Sequence, residues 1–184
     1  MLYDLGGSDP RVRWLVTLLL CTFGVSYAFG AWMVGMFAGF STGSVASTYA
    51  EHPMTMQMPP DTTVVVEHDL SAAAMGTEQH HVDRDLLVQD THVHMPMYGI
   101  IAAALSVIVL GLAIPRWAGF ALIGLLFAAP WLDFAGMWLT KLASPHFAIV
   151  TLAGGWAMGL GYAIVAATAL WQMWGGRPRK GLTT

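Results

Sequence analysis

The stretch QDTHVHMPMYG (Gln89–Gly99) is where the polar part of this chain turns apolar, and its reading decides the layout of the rest. Downstream, GIIAAALSVIVLGLAI runs from Gly99 to Ile114 without a charge. Together with its leading residues, a run of this kind spans a hydrocarbon core of about 30 Å as a helix. The same stretch holds Asp90, His92, His94, Met95 and Met97. Soft and borderline metal ligands gathered where a chain enters a membrane point to a metal or haem site.

Working outward, the totals agree with a membrane protein. Of 184 residues, 56% are hydrophobic and 10% charged, against about 25% charged in a soluble domain. Cys21 is the only cysteine, so the chain alone makes no disulfide, CxxC redox pair or iron–sulfur cluster. A formal charge of −3 gives no reason to expect nucleic acid as a partner. No small-residue cleavage site follows a short apolar core, so the first apolar segment is expected to be retained.

Four apolar segments follow, at about 13–40, 94–114, 117–141 and 146–174. Ser8 or Asp9 can cap the first, with Pro10 in its opening turn. Ala31, Gly35 and Gly39 fall four apart on it, a smooth stripe suited to close helix packing. Pro130 lies inside the third segment and predicts a kink. Ser144-Pro145 opens the fourth, whose GGWAMGLG sets Gly155 and Gly159, and likewise Ala157 and Gly161, four apart for tight packing.

Between the first two spans, Ser41–Thr91 is polar and holds eight acidic residues against Arg84 alone. It has too few large apolar residues for a core, which predicts an extended loop. Within it, TTVVVEH (Thr62–His68) can pair as a strand and HHVDRDLLVQD (His80–Asp90) can form a brief surface helix. Arg11, Arg13, Arg116, Arg177, Arg179 and Lys180 flank one set of helix ends, and only Arg84 and Lys141 the other. The positive-inside rule then puts both termini in the cytoplasm and the acidic loop outside. The fold class is thus an all-α integral membrane protein: a single four-helix membrane domain with a long acidic, His/Met-rich extracytoplasmic loop over 41–92. A bacterial inner membrane, with that loop periplasmic, is the expected location.

In this orientation His52, His68, His80, His81, His92, His94 and His146 all fall outside. His94 opens the second span and His146 the fourth, at similar depth. His146 shares a face with Val150, Ala153 and Ala157, which is expected to turn it into the bundle. An imidazole from each of two helices can ligate a haem iron from both sides, with Met95 or Met97 replacing one, so haem b is one cofactor to expect. Alternatively His92, His94 and His146 can share one copper or zinc ion. EHPMTMQMPPD adds His52 and, at alternating positions, Met54, Met56 and Met58, a set that suits Cu(I). The plainer reading is that interfacial histidines bond headgroups or loop carbonyls and that methionines pack, with no cofactor at all.

Asp133 is the only carboxylate within a span. It is expected to handle protons or lock helices, with Tyr27, Ser26 or Thr140 as polar partner. Trp32, Trp131, Trp138 and Tyr98 fit an interfacial belt. Two functions follow: a small subunit with a metal or haem site at the outer face, serving electron transfer or copper handling in a larger complex, or a non-catalytic accessory subunit of a respiratory or photosynthetic assembly. A membrane enzyme or quinone protein working through Asp133 is a third, with no visible nucleophile or second acid–base group beside it. Lipid, other membrane subunits and a basic soluble electron carrier are the expected partners, the last drawn by the acidic loop. Catalysis by the chain alone is not expected.

Overall fold

A computed structural model describes residues 3–50 and 82–175. Its elements are all helical: α1 (Pro10–Phe37), α2 (Thr42–Tyr49), α3 (Arg84–Leu110), α4 (Arg116–Leu142), a 3-10 turn (Pro145–Phe147) and α5 (Ala148–Trp174). Four helices are long and apolar enough to cross a membrane, at Pro10–Phe37, Arg84–Leu110, Arg116–Leu142 and Pro145–Trp174. This is a multi-pass membrane protein.

Local chemistry explains the ends. Asp9 caps α1, its Oδ1 accepting from the Arg11 amide at 2.8 Å with Pro10 following. Ser144 does the same for the turn into α5, accepting from the His146 amide at 3.3 Å. The second span differs from expectation. It begins at Arg84 rather than His94, and runs unbroken through Pro96. Asp83 precedes it and Asp85 lies in its first turn, where an acid complements the helix dipole. HHVDRDLLVQD is therefore no separate surface helix: from Arg84 onward it is the first turns of α3. α4 likewise continues across Pro130.

α2 is a helix in a segment expected to be loop. Its signal is a capping box: Ser41 and Ser44 exchange side-chain and backbone bonds, with the Ser41 hydroxyl accepting from the Ser44 amide at 3.1 Å. Gly39, at φ +69°, makes the turn from α1, a conformation that disfavours any side chain.

The bundle is built around the antiparallel pair α4–α5. Hydrophobic burial does not drive helices together in lipid, so close van der Waals fit must. Two glycines supply it: a Cβ on Gly136 would collide with the Thr151 backbone, and one on Gly154 with the Asp133 backbone. The buried face of α5 runs through Ala148, Thr151, Gly154, Met158, Gly161 and Val165. The face predicted from His146, Val150 and Ala153 is not this one. Gly155 and Gly159 are exposed with open space around them, so they pack against nothing among the described residues.

α3 packs chiefly on α4, with Leu105, Ile108 and Val109 buried in a core shared with Leu122, Leu126, Val165 and Ala169. α1 leans on α5 through Val16 and Leu20, and Gly24 makes room for the Tyr162 hydroxyl, which donates to the Leu20 carbonyl at 2.6 Å. Beyond Tyr27 it stands clear: Phe29, Trp32, Met33 and Met36 are exposed. Among the described residues the expected small-residue stripe on α1 packs against no other membrane-spanning helix. Gly35 accommodates the Phe40 ring and Gly39 makes the turn.

At one end of the bundle the segment before α1 is tucked in. Leu5 is fully buried, its amide donating to the Gly111 carbonyl at 3.0 Å. Tyr3 donates to Val107 O at 2.7 Å, and the Arg13 guanidinium to Gly6 O at 2.8 Å and Met173 O at 3.2 Å. At the other end α2 lies across α4, α5 and the 3-10 turn. There the Val82 amide donates to Thr48 O at 3.0 Å and buried Lys141 donates to Val82 O at 2.9 Å. The two flanks of segment 51–81 thus meet beside the C-terminus of α4.

Candidate functional site

The chemistry gathers at the α2 end of the bundle. α3 presents Asp90, His94 and Tyr98 at i, i+4 and i+8, one above the other on a single face. His94 is half-buried, and its Nδ1 lies 2.9 Å from the Asp90 carbonyl oxygen. A carbonyl only accepts, so Nδ1 carries the hydrogen, and in the neutral ring Nε2 keeps its lone pair. His94 also faces Tyr98, with ring centroids 6.2 Å apart, and Tyr98 in turn meets Phe134 at 6.2 Å.

Asp133 lies on α4 across from this face, 8% exposed, with the Gly154 backbone of α5 closing one side. The partners expected for it are Tyr27, Ser26 or Thr140. Thr140 instead donates to its own helix, to Gly136 O at 2.7 Å. Two phenols, Tyr98 of α3 and Tyr49 of α2, lie within electrostatic reach of Asp133. Among the described residues no hydrogen bond or ion pair engages the Asp133 carboxylate. Tyr49 reaches Asp90 as well. Burial pushes the Tyr49 phenol up to about 12, with Asp133, Asp90 and Tyr98 adding to the effect, so at neutral pH it is a hydrogen-bond donor. Further along, the rings of Tyr27 of α1 and Tyr162 of α5 meet at a 32° tilt with centroids 4.9 Å apart, and Tyr27 lies within electrostatic reach of Tyr98.

Tyr98 also lines a lateral groove of about 490 Å³ between α3 and α4, with Thr91, Met95, Pro96, Pro130 and Trp131. Trp138 is half-buried, and its indole N–H donates to Thr91 Oγ1 at 3.0 Å, tying α4 to α3. Trp32 and Trp131 are exposed, as a belt requires.

The other predicted ligands are less gathered. His92 and Met97 are exposed on α3, and His146 is exposed on the 3-10 turn rather than directed into the bundle. Among the described residues no three of His, Cys, Asp and Glu are grouped as a metal site would need. His52, Met54, Met56, Met58, His68, His80 and His81, with the TTVVVEH strand, lie outside the described residues. Tyr49 and Lys141 are the residues that sequence reasoning misses. Lys141 carries a sequence signal as a lone cation at a span end, whereas Tyr49 lies in a segment that reads as loop.

A family model described as a transmembrane helical domain matches residues 78–180, more than half of the chain. The chain belongs to the Aq_1264_TM family. The match takes in α3, α4 and α5, and with them Asp90, His94, Tyr98 and Asp133, while α1 and α2 fall before it. Neither the comparison with curated proteins nor that with solved structures gave a match.

Proposed function

We propose that this chain is a small subunit of a larger membrane complex, carrying a haem or copper site at the α2 end of its bundle and acting in electron transfer or copper handling. One observation carries the reading: Nδ1 of His94 is tied to the Asp90 carbonyl, and this second bond orients a ligating histidine and leaves Nε2 free for a metal. His146, His92 and Met97 are the candidates for further ligands. Thr48 and Val82 are bonded to one another, so the segment carrying His52, Met54, Met56 and Met58 leaves and rejoins the bundle at this same end. In the proposed orientation this end is periplasmic, the termini are cytoplasmic, and the membrane is the inner membrane of a bacterium. The acids of the 41–92 loop would then draw a basic soluble carrier.

Absorption spectra and elemental analysis of the purified protein test the site. A Soret band, or copper in stoichiometric amount, is expected, and it should be lost in His94→Ala. A signal that survives in His94→Ala removes the assignment. The second reading is an accessory subunit with no cofactor of its own. The exposed apolar residues of α1 from Phe29 to Met36 favour it, as a face left for another subunit. Migration of the chain within a large assembly on native gels, with no bound metal or haem, would establish that reading instead.

A further inference from the structure

The lateral groove between α3 and α4 is not used by the proposed metal site. Its volume of about 490 Å³ is that of a small-molecule site. It runs along Thr91–Ala102 on one wall and Leu126–Trp131 on the other, inside two membrane spans, so its occupant comes from the bilayer. None of its lining residues is charged, which leaves a phospholipid phosphate without a partner there. Each wall does carry a proline within its helix, Pro96 on α3 and Pro130 on α4. A proline has no N–H, so the carbonyls four residues back, of His92 and Leu126, lose their donors in the helical ladder. A helix carbonyl points along the axis toward the residue four ahead, which sets both oxygens beside the proline rings of the groove. Among the described residues no side chain donates to either oxygen. Such groups within a membrane call for a donor from elsewhere.

The other polar groups of the groove do not supply that donor. The Thr91 hydroxyl is spent: it donates to Leu87 O at 2.7 Å and accepts from the Trp138 indole at 3.0 Å, closing the groove toward the α2 end. The Tyr98 phenol has no hydrogen-bond partner among the described residues, so two open acceptors face one open donor. Trp131, Phe127 and Met95 give flat and polarizable walls suited to an aromatic ring. Gly99 leaves space between them, with nothing within 4 Å of its would-be Cβ. We propose that this groove binds a lipid-soluble hydroquinone, the head of a membrane quinol, whose hydroxyls donate to the open carbonyls of His92 and Leu126. The oxidised quinone has no hydroxyl to donate and binds more weakly. A saturated lipid tail fills the space but leaves both carbonyls unserved. The proposal concerns binding alone, with no electron or proton transferred. It depends neither on a metal at His94 nor on Asp133, which does not line the groove.

Calorimetric titration of the full chain in quinone-free phosphatidylcholine nanodiscs tests it. The probes are a decyl-substituted benzohydroquinone kept reduced under anaerobic conditions, the matching quinone, and decanol. Saturable binding of the hydroquinone is expected, about tenfold tighter than that of the quinone for two hydrogen bonds gained. Pro96→Ala and Pro130→Ala each restore a missing N–H in a residue that favours helix, so the fold is kept. Each should cut the preference for the reduced form to about threefold. Gly99→Leu fills the groove without meeting a neighbour and should abolish binding of both forms. No saturable binding of the hydroquinone overturns the proposal, as does equal affinity for its two oxidation states. Decanol binding as tightly as the hydroquinone, or unchanged binding by Gly99→Leu, overturns it too. A full preference retained in both proline variants removes the carbonyls as its cause and the proposal with them. Metal or haem content enters none of these readouts, so the failure of one proposal leaves the other standing.

Discussion

Gly154→Ala measures the α4–α5 contact most directly. A Cβ placed there would stand 2.6 Å from Cα of Asp133, where ordinary contact begins at 3.4 Å. The obstacle is backbone, so no rotamer change relieves it, and α4 and α5 must part by close to an ångström. A gap of 0.5–1 Å forfeits roughly a quarter to a half of the dispersion energy of each contact it opens. Overpacking of this kind costs about 1–3 kcal/mol, while replacing glycine by alanine in a helix returns up to about 1 kcal/mol. The net expectation is a loss of about 1–2 kcal/mol. Gly155→Ala is the matched control: the neighbouring residue has nothing within 4 Å of its would-be Cβ. It should be neutral or slightly stabilising. Gly136→Ala repeats the clash against Thr151, one turn along the same crossing. Once the helices have separated, the second methyl finds room, so the double variant should lose less than the sum of the singles. Unfolding in mixed micelles by titration with sodium dodecyl sulfate, followed by circular dichroism, reads all four. Equal damage from Gly155→Ala and Gly154→Ala would refute the assigned face of α5.

Lys141→Met removes the ammonium donor to Val82 O; a bond to a charged group is worth about 1.5–3 kcal/mol. Faster amide exchange at Val82 is expected, with the α4–α5 pair unchanged; unaltered protection of Val82 would mean that the lysine does not hold this junction. Tyr49 gives a dependence on alkaline pH. Its folded value of about 12 lies above the ordinary 10.0, so the unfolded chain loses its proton first and stability falls as pH rises from 10 toward 12. The loss is at most about 3 kcal/mol, and Tyr49→Phe should flatten the slope. A wild-type slope retained in Tyr49→Phe would assign it elsewhere.

The four spans were legible because a charge-free run of helical length fits a membrane crossing better than any water-facing element. What the pattern hid were choices between near neighbours. In GGWAMGLG, glycines recur at helical spacing on adjoining faces, four apart at Gly155/Gly159 and seven apart at Gly154/Gly161, and periodicity alone does not choose between them. Only the partner helix does, by where its backbone comes near. α3 starts ten residues before the apolar pattern does, because polar residues and a proline resemble a loop. Yet the backbone ladder holds through Arg84–Thr91, and Pro96 breaks only one bond of it. Of the site, Asp133 stood out as an acid among apolar residues and His94 by its spacing. Tyr49 did not, because its closeness to both acids depends on α2 folding over the bundle, a contact between segments far apart in sequence.

The tuck of Tyr3–Ser8 against α3 and α5 bears on how the chain is made. Arg13 and Met173, which it helps to join, are separated by 160 positions. At roughly 5–20 residues per second, a ribosome takes on the order of ten seconds or more to bridge that gap. The earliest part of this region to be translated can therefore settle on the end of α3 but completes its seat only once the final helix has been made. A bulky fusion just ahead of Tyr3 would obstruct that closing step while leaving each helix free to insert.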